Sequence, residues 1–359
     1  MSVMRPIITI TLAAALYAGQ AVTAAPLFET DETLALTIEA PMRELIRYRK
    51  QKNEYDATVT WTDEAGTAIS IPAKLKPRGN HRLTTCDFPP LRIEFDPSDT
   101  AGTIFDGQQR LKMVNPCGNG SDQKAWLAQE YGVYRGYNVI TDRSFRVRHV
   151  AATYKDSSSR RWEREYPAFF IESIDGVAER TGLKPIRPAR VRYDQFDIPE
   201  TTNHLLYQFL ISNTDFSMLK GPTGEGCCHN ARILSPPGRE HEWVVLPYDF
   251  DQAGLVDTDY ALPDKRLGLR SVQVRLYRGF CWQNHALEDA IAHYNNQRDE
   301  LTAALISDDL SRTRKRRVQR LVDGFYQTIN DDEELQRRIM DKCRGPDTFE
   351  IRASTTAGE

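Results

Sequence analysis

The sequence predicts an α+β fold with two lobes, a strand-rich first half carrying one main helix and a mostly helical second half. Short alternating or apolar runs separated by turn residues recur from Tyr55 to Val114. Helical spacing of apolar residues begins at Ser121, and three helical patterns follow one another from about Ala286 to Cys343. The sequence becomes mostly helical after Asp197, so we expect a lobe boundary between Ile174 and Asp197, with lobes at residues 25–175 and 176–345.

The first half contains six strand signals and one helix signal. Four strands are predicted from "DATVTWT", "AISIPAKLK", "PPLRIEF" and "QRLKMVN". The segment 121–137 places Trp126, Leu127, Tyr131 and Tyr134 at helical spacing, which predicts an amphipathic helix. "FRVRHVAATYK" and "REYPAFFIESID" then predict a pair of strands joined as a hairpin.

The second half begins with a helix over residues 201–212, followed by a glycine-rich loop and the short strand "NARIL". An apolar run from Trp243 to Leu246 predicts a buried strand, which a proline ends and which Asp249 and Asp251 follow. The basic run "SRTRKRRVQR" is interpreted as a solvated helix face, with a ligand surface as the alternative. The tail over residues 346–359 is predicted to be disordered.

Composition and charge are those of an ordinary soluble globular protein. The chain has 359 residues, and its formal net charge of -3 gives no global electrostatic reason to expect nucleic acid or anionic membrane as a partner. A chain of this length buries a large core.

The N-terminus has the pattern of a secretory signal peptide over residues 1–24. Arg5 precedes an apolar run from Ile7 to Leu16, and small residues lead to a predicted cut after Ala24. An uncleaved anchor is the alternative, but Gln20 leaves the run shorter than the ~20 apolar residues of a spanning helix. We therefore expect a periplasmic or secreted protein without a membrane span in the mature chain.

Six cysteines lie beyond that cut. An even number in an oxidising compartment favours disulfides, although the sequence does not choose among the possible pairings. We expect the adjacent Cys227 and Cys228 to pair with different distant partners. A zinc site of Cys227, Cys228 and His229 is disfavoured because the usual spacing of two to four residues between cysteines is absent.

Three polar residues of the second half have the chemistry of a phosphoryl-transfer site. Asp215 follows a predicted helix, Asn230 begins a short strand, and Asp249 follows the next strand. In such sites an aspartate orients the attacking hydroxyl, while an asparagine and a second aspartate hold divalent cations against the phosphates. Oxygen ligands favour magnesium or manganese, and ATP is the expected phosphate donor.

The first half supplies candidate nucleotide-binding residues. Lys112 lies in a predicted strand and Glu130 on the following helix, the order in which protein kinases place the lysine that contacts the α- and β-phosphates and its glutamate. "KLKPRGNHR" adds Arg78 and Arg82 at a turn whose Gly79 allows close approach of an anion. A solvated hairpin is the alternative interpretation of that turn.

The succession "RGN", "FFIESIDGV", "ISNTD", "HNARIL" and "VVLPYDFDQAG" resembles the spore-coat CotH-type atypical protein kinases. The "NTD" and "PYD" elements are also similar to the HipA-type branch of the superfamily. The resemblance covers roughly residues 74–254 and implies a bilobal protein-kinase-like fold. It also implies a secreted or surface enzyme that transfers the γ-phosphoryl group of ATP to Ser or Thr of a protein acceptor.

Residue by residue, Asp215 matches the catalytic aspartate of the family, and Asn230 and Asp249 match metal ligands. Asp251 matches the second acid of the motif, and Glu172 falls where the chain passes between the lobes. The spacer "FSMLKGPTGEGCCH" departs from the short catalytic loop of ordinary kinases, so the fold has to bring its two ends together.

Two other classes remain open. A hydrolase would use Glu172 or Asp215 with Asp249 as a carboxylate pair, and it has no need of Asn230. A disulfide-braced envelope module would keep the fold without turnover. An EF-hand at "DFDQAGLVDTDY" is excluded by Ala253 and Tyr260 at two ligand positions. Transfer of AMP in place of phosphate also stays open.

Overall fold

The computed structural model describes residues 27–222, 224 and 226–345. The predicted signal peptide, its cut after Ala24 and the predicted tail lie outside the described residues. Within them the chain forms ten α-helices and ten β-strands, which confirms the α+β class. Strands dominate the first half and helices the second, as the sequence predicts.

The first half forms a closed seven-stranded barrel with the strand order β1-β2-β3-β4-β5-β7-β6. Its strands are β1 (Leu34–Ala40), β2 (Tyr55–Thr62), β3 (Ala68–Pro77), β4 (Leu91–Glu94), β5 (Arg110–Val114), β6 (Val147–Asp156) and β7 (Ser159–Ile171). The parallel pairing of β6 with β1 closes the barrel, with Leu34 opposite Val150. The remaining neighbours are antiparallel. Closure leaves no free sheet edge.

Alternation along the strands fills the barrel. In β2 the side chains of Tyr55, Ala57, Val59 and Trp61 are buried, while Asp56 and Thr58 between them are exposed. The inward set packs into an apolar cluster that includes Phe105 and Phe170. Three short helices connect the strands: α1 (Met42–Arg47), α2 (His81–Thr85) and α3 (Pro97–Thr100).

The second half is built around helices and a small antiparallel sheet of order β10-β9-β8. The helices are α4 (Ser121–Ile140), which the barrel half contributes, α5 (Ile174–Thr181), α6 (Ile198–Leu210), α7 (Leu287–Asn296), α8 (Arg298–Leu305), α9 (Arg312–Ile329) and α10 (Asp332–Arg338). The sheet consists of β8 (Lys184–Ile186), β9 (Ala231–Ser235) and β10 (Val244–Pro247).

Helix α4 contacts both the barrel and the helical region. It packs on β6 and β7 on one side and on α8 on the other. Two glycines allow α8 to approach closely: a Cβ at Gly132 would lie 3.0 Å from the Ala304 carbonyl oxygen, and one at Gly136 would lie 2.9 Å from Leu305 Cδ2. This helix therefore joins the two parts of the chain instead of belonging to the barrel alone.

The basic run is largely engaged in packing of α9 against its neighbours. Arg314 donates to Asp122 at 2.8 Å and to Gln129 at 3.0 Å, both on α4. Arg317 pairs with Asp257 and donates to the Leu255 carbonyl at 2.8 Å. These contacts place half-buried cations of the run in tertiary structure, so the simple solvated face predicted from the sequence is only part of its role.

All six cysteines form disulfides, but the expectation for Cys227 and Cys228 is wrong because they pair with each other. The other pairs are Cys86–Cys117 and Cys281–Cys343, with Cα atoms 4.5 Å and 4.9 Å apart. Those separations suit a disulfide, so each distant cysteine already has a partner. Three disulfides fit an extracellular or periplasmic location.

A search of the described residues finds no helix that combines the length and apolar character needed to cross a membrane.

His204 on α6 is fully buried in an aromatic environment. Its ring centroid lies 5.6 Å from that of Phe216 and 6.3 Å from that of Tyr137. Among the described residues neither of its nitrogens has a hydrogen-bond partner. Burial lowers the pKa of His204 to about 3, so the folded protein keeps this imidazole neutral through mildly acidic pH.

We expect His204 to make folding stability depend on pH. The unfolded chain binds a proton near pH 6.5 and the folded chain does not, so this contribution is present above about pH 6.5 and is lost as pH falls. Between pH 7.5 and 5 the loss is about 2 kcal/mol. Urea unfolding at both pH values should show a shallower pH dependence for His204→Phe, whereas His285→Gln, which changes an exposed imidazole, should match the wild type.

Candidate active site

Asp215 lies in the buried segment that follows α6. Its backbone N–H donates to the Asn213 side-chain oxygen at 2.9 Å, which fixes the turn. The segment is held from the other side by Gly254, whose N–H donates to the Ser212 carbonyl at 3.1 Å. A Cβ at Gly254 would lie 2.2 Å from the Val272 carbonyl oxygen, so only glycine fits this contact.

The carboxylate of Asp215 is bound by two neighbouring residues from the start of β9. One of its oxygens lies 2.9 Å from the His229 ring nitrogen Nε2, and the other accepts from Asn230 Nδ2 at 2.9 Å. Asn230 Nδ2 also donates to the Asp215 carbonyl at 2.8 Å. Ser217 and His229 pair in an antiparallel bridge, so the long spacer leaves Asp215 and returns beside it. The fold thus brings Asp215 and Asn230 together despite the long spacer between them in the sequence.

Asp249 follows β10 and is placed by two backbone contacts. The Tyr248 N–H donates to the Asn230 carbonyl at 3.2 Å, and the Asp249 N–H donates to the Tyr134 hydroxyl of α4 at 2.8 Å. Both Asn230 and Asp249 have left-handed backbones, with φ of 48° and 65°. Such conformations cost energy for residues other than glycine and often occur at functional sites.

Asp251 is buried and lies close to other acids. Its carboxylate accepts from the Tyr260 hydroxyl at 3.0 Å. Burial and the charge of Asp249 raise the pKa of Asp251 to about 7, against the opposing influence of Arg82.

Glu130 on α4 forms an ion pair with Arg82 of α2, in which a carboxylate oxygen lies 3.5 Å from Nη1. Arg82 also donates through Nη2 to the Asn115 carbonyl. Burial raises the pKa of Glu130 to about 8 despite Arg82, and the charges of Asp251 and Asp249 add to the effect.

Lys112 does not pair with Glu130, contrary to the kinase-like order inferred from the sequence. Its Nζ lies 5.5 Å from the ring centroid of Phe145 and 5.2 Å from that of Tyr248. Burial, together with the charges of Arg78 and Arg232, lowers the pKa of Lys112 to about 7. Arg82 forms the ion pair with Glu130 that the kinase-like order assigns to a lysine.

Glu172 is a predicted site residue whose carboxylate is bound by residues outside the candidate site. Its oxygens accept from Arg180 Nε at 3.0 Å and from the Arg146 backbone N–H at 3.0 Å. These contacts connect the end of β7 to α5. The role predicted for Glu172 in nucleotide binding stays a prediction.

The Asp and Asn side chains of the candidate site offer oxygen atoms that a divalent cation could bind. Within the described parts of the chain, no group of three or more His, Cys, Asp and Glu side chains is arranged to hold a metal ion. A magnesium–nucleotide complex needs only one or two carboxylates because phosphates and waters supply the other ligands. The carboxylates of Asp249 and Asp251 and the side-chain oxygen of Asn230 are the groups that could supply such protein ligands.

We call Asp215, Asp249 and Asp251 the acid cluster. Sequence analysis did not predict the roles of three residues around the candidate site, namely His229, Arg82 and Arg278. From the sequence, His229 is considered only as a disfavoured zinc ligand, although its place directly before Asn230 is a usable signal. Arg82 was noted only as local positive charge. Arg278 gave no signal at all, yet its Nη1 donates to the carbonyls of Thr214 and Phe216 at 2.5 Å and 2.7 Å.

No protein-family model matches the chain, and no curated protein is significantly similar to it.

The Arg82–Glu130 pair yields a stability prediction. Arg82→Met leaves Glu130 buried without its counter-charge, so we expect the unfolding free energy to fall by about 3–5 kcal/mol. The double variant Arg82→Met/Glu130→Gln should regain part of that loss because the uncompensated charge is gone. Urea unfolding at pH 8.5 measures both.

Arg110→Met is the matched control, since the Arg110 side chain is 75% exposed and lies 3.9 Å from Glu94. It should cost less than about 1 kcal/mol. Equal losses in Arg82→Met and Arg110→Met would contradict a structural role for the buried pair.

Proposed function

We propose that the chain is a secreted, metal-dependent phosphotransferase of the kinase-like type, which transfers the γ-phosphoryl group of ATP to a Ser or Thr hydroxyl of a protein acceptor. The observation that carries the proposal is the convergence of Asp215 with Asn230 at 2.9 Å, with Asp249 following the next strand of the same hairpin. Phosphoryl transfer requires this set of a proton-accepting carboxylate and oxygen ligands for a cation.

The architecture supports a two-lobed, kinase-like interpretation. The barrel supplies Arg78, Arg82 and Lys112, and the helical region supplies the acid cluster. Electrostatic interactions link the two sets: Asp249 with Lys112, and Asp249 and Asp251 with Arg82. A nucleotide between them would meet cations on one side and metal-binding acids on the other. The motif resemblance to CotH-type kinases points to the same reaction.

Asp215 is the proposed proton acceptor. His229 and Asn230 each occupy one of its oxygens and fix the carboxylate plane. A carboxylate has about four acceptor positions, so an acceptor hydroxyl can bind beside these contacts. In the proposed reaction the hydroxyl donates its proton to Asp215 as its oxygen attacks the γ-phosphorus, the bond from that phosphorus to the β–γ bridging oxygen breaks, and ADP leaves.

The remaining residues of the proposed site would neutralise the negative charge of the ATP phosphates. A bound Mg²⁺ or Mn²⁺ would neutralise phosphate charge, and Asp249, Asp251 and Asn230 are the residues that would hold it. Lys112 and Arg78 face phosphates from the barrel. Burial first, and then the charges of Arg78 and Arg232, lower the pKa of Lys112, and bound phosphate groups would oppose that effect.

The hydrolase alternative is weakened by Glu172, whose carboxylate is already bound by Arg180 and Arg146. That leaves Asp215 and Asp249 as its carboxylate pair. The Asn230 side chain is accounted for by the phosphotransferase and has no assigned role in a hydrolase.

We expect transfer of label from γ-labelled ATP to a mixed protein acceptor in the presence of Mg²⁺ or Mn²⁺. Asp215→Asn should lower kcat by about 10²–10⁴-fold because the proton acceptor is lost. Asp249→Asn should lower activity to a degree that added metal partly restores. EDTA should abolish transfer in the wild type.

Asp194→Asn serves as the control, since Asp194 is exposed and pairs with Arg192 at 2.7 Å. Label on the acceptor from α-labelled ATP would indicate AMP transfer instead. If no label is transferred and ATP fails to shift the melting temperature, the phosphotransferase proposal is wrong.

Arg278 is proposed to position Asp215 without touching substrate. It donates to the carbonyls on both sides of Asp215 and stacks 4.9 Å from the Phe216 ring centroid. The neighbouring Cys281–Cys343 disulfide and the hydrogen bond from the Cys281 N–H to the Arg344 carbonyl, 3.1 Å, hold the segment that carries it. The disulfide thus supports the loop of the proposed proton acceptor through one side chain.

Arg278→Lys keeps the charge but not the fork that reaches two carbonyls. We expect kcat to fall about 10-fold or more while KM for ATP stays near the wild-type value, because a displaced Asp215 affects chemistry more than nucleotide binding. The matched control is Arg275→Lys, since Arg275 also bonds a carbonyl, Leu210 at 3.3 Å, but away from Asp215. A parallel loss in both variants would indicate general destabilisation.

A further inference from the structure

A group of exposed cations lies beside the loop that carries Asp215, and we call it the basic patch. It consists of Lys184, Arg187, Arg190 and Lys220. Among the described residues none of the four has an ion pair or hydrogen bond through its side chain. By contrast, nearby Arg192 is paired with Asp194 at 2.7 Å. Four solvent-exposed cations without counter-charges attract anionic partners.

Two loops bring these residues together. The segment 187–192 contacts residues on both sides of the loop between Leu219 and Cys227: the Cys227 N–H donates to the Pro188 carbonyl at 2.9 Å, and the Val191 N–H donates to the Leu219 carbonyl at 3.2 Å. Residues 184–192 contain no acid, and residues 217–228 contain only Glu225, which lies outside the described residues. The two loops therefore form a surface with a clear excess of positive charge.

The basic patch is anchored to the proposed catalytic loop. Met218 follows Asp215 by three residues, and its carbonyl oxygen lies 3.0 Å and 3.1 Å from the sulfurs of Cys227 and Cys228. The disulfide between these two cysteines is followed directly by His229, whose ring contacts Asp215. Three residues separate Leu219 from Asp215, so even a fully extended chain would span at most about 14 Å between them.

We propose that the basic patch selects acidic polypeptide acceptors, with Glu or Asp side chains about three to six residues from the phosphorylated Ser or Thr. An extended peptide advances about 3.3 Å per residue, so acids at this spacing reach the patch while the hydroxyl lies at Asp215. The inference rests on the proposed function for the transfer step. Charge complementarity at an exposed surface contributes mainly to acceptor affinity and on-rate.

The test uses Ser-centred peptides that carry four Glu, four Gln or four Lys at those positions, on either side of the serine. The wild type should show its lowest KM with a Glu peptide. Arg187→Glu/Arg190→Glu should raise that KM about 10-fold or more and improve the Lys peptide, with kcat and KM for ATP unchanged. Arg160→Glu/Arg161→Glu, a matched reversal of two exposed arginines on β7, should leave the peptide preference unchanged.

A binding measurement separates this inference from the proposed function. Fluorescence anisotropy of the labelled Glu peptide should show binding that weakens in the patch variant and as ionic strength rises from about 0.05 to about 0.5 M. Binding without any phosphoryl transfer would support the patch and defeat the phosphotransferase. Equal binding of Glu, Gln and Lys peptides, or binding of the patch to anionic vesicles in place of peptide, would overturn the inference.

Discussion

The packing of α4 between the barrel and the helical region is the constraint on which the site depends. Through Glu130 it binds Arg82 of the barrel half, and through the Tyr134 hydroxyl it accepts the backbone N–H of Asp249. The close approach of α8 at Gly132 and Gly136 fixes the same helix from the other side. Because one helix contacts both groups, it sets the position of Arg82 relative to Asp249.

Local patterns predicted much of the fold because they belong to single elements. β2 to β5, the β6–β7 hairpin, α4 and α6 all show their periodicity within one stretch of sequence. β1 alternates as clearly, but it was not predicted, and its partner β6 lies more than a hundred residues away. Closure of the barrel is a long-range property that no local pattern reveals.

The same distinction separates what the sequence revealed about the site from what it did not. Asp215, Asn230 and Asp249 were found because each lies at the end of a predictable element. The partner of Glu130 was missed because Arg82 reaches it only through tertiary packing of α2 against α4. The pairing of Cys227 with Cys228 was likewise not predicted. It depends on tertiary structure, because the other four cysteines lie close enough to pair with one another. The pKa shifts of Glu130 and Lys112 arise from burial, which a sequence shows only coarsely.

The left-handed backbones of Asn230 and Asp249 narrow the choice of amino acid at both positions. Glycine would adopt this backbone conformation without strain, and most other residues would be more strained there than Asn or Asp. Of the residues with a side-chain oxygen that could bind a cation, Asn and Asp tolerate this conformation best. At Asp249, backbone strain and the proposed ligand role therefore favour different residues, and selection for thermal resistance alone would favour glycine there. At Asn230 glycine would also lose the two hydrogen bonds to Asp215, so the same selection would retain the asparagine.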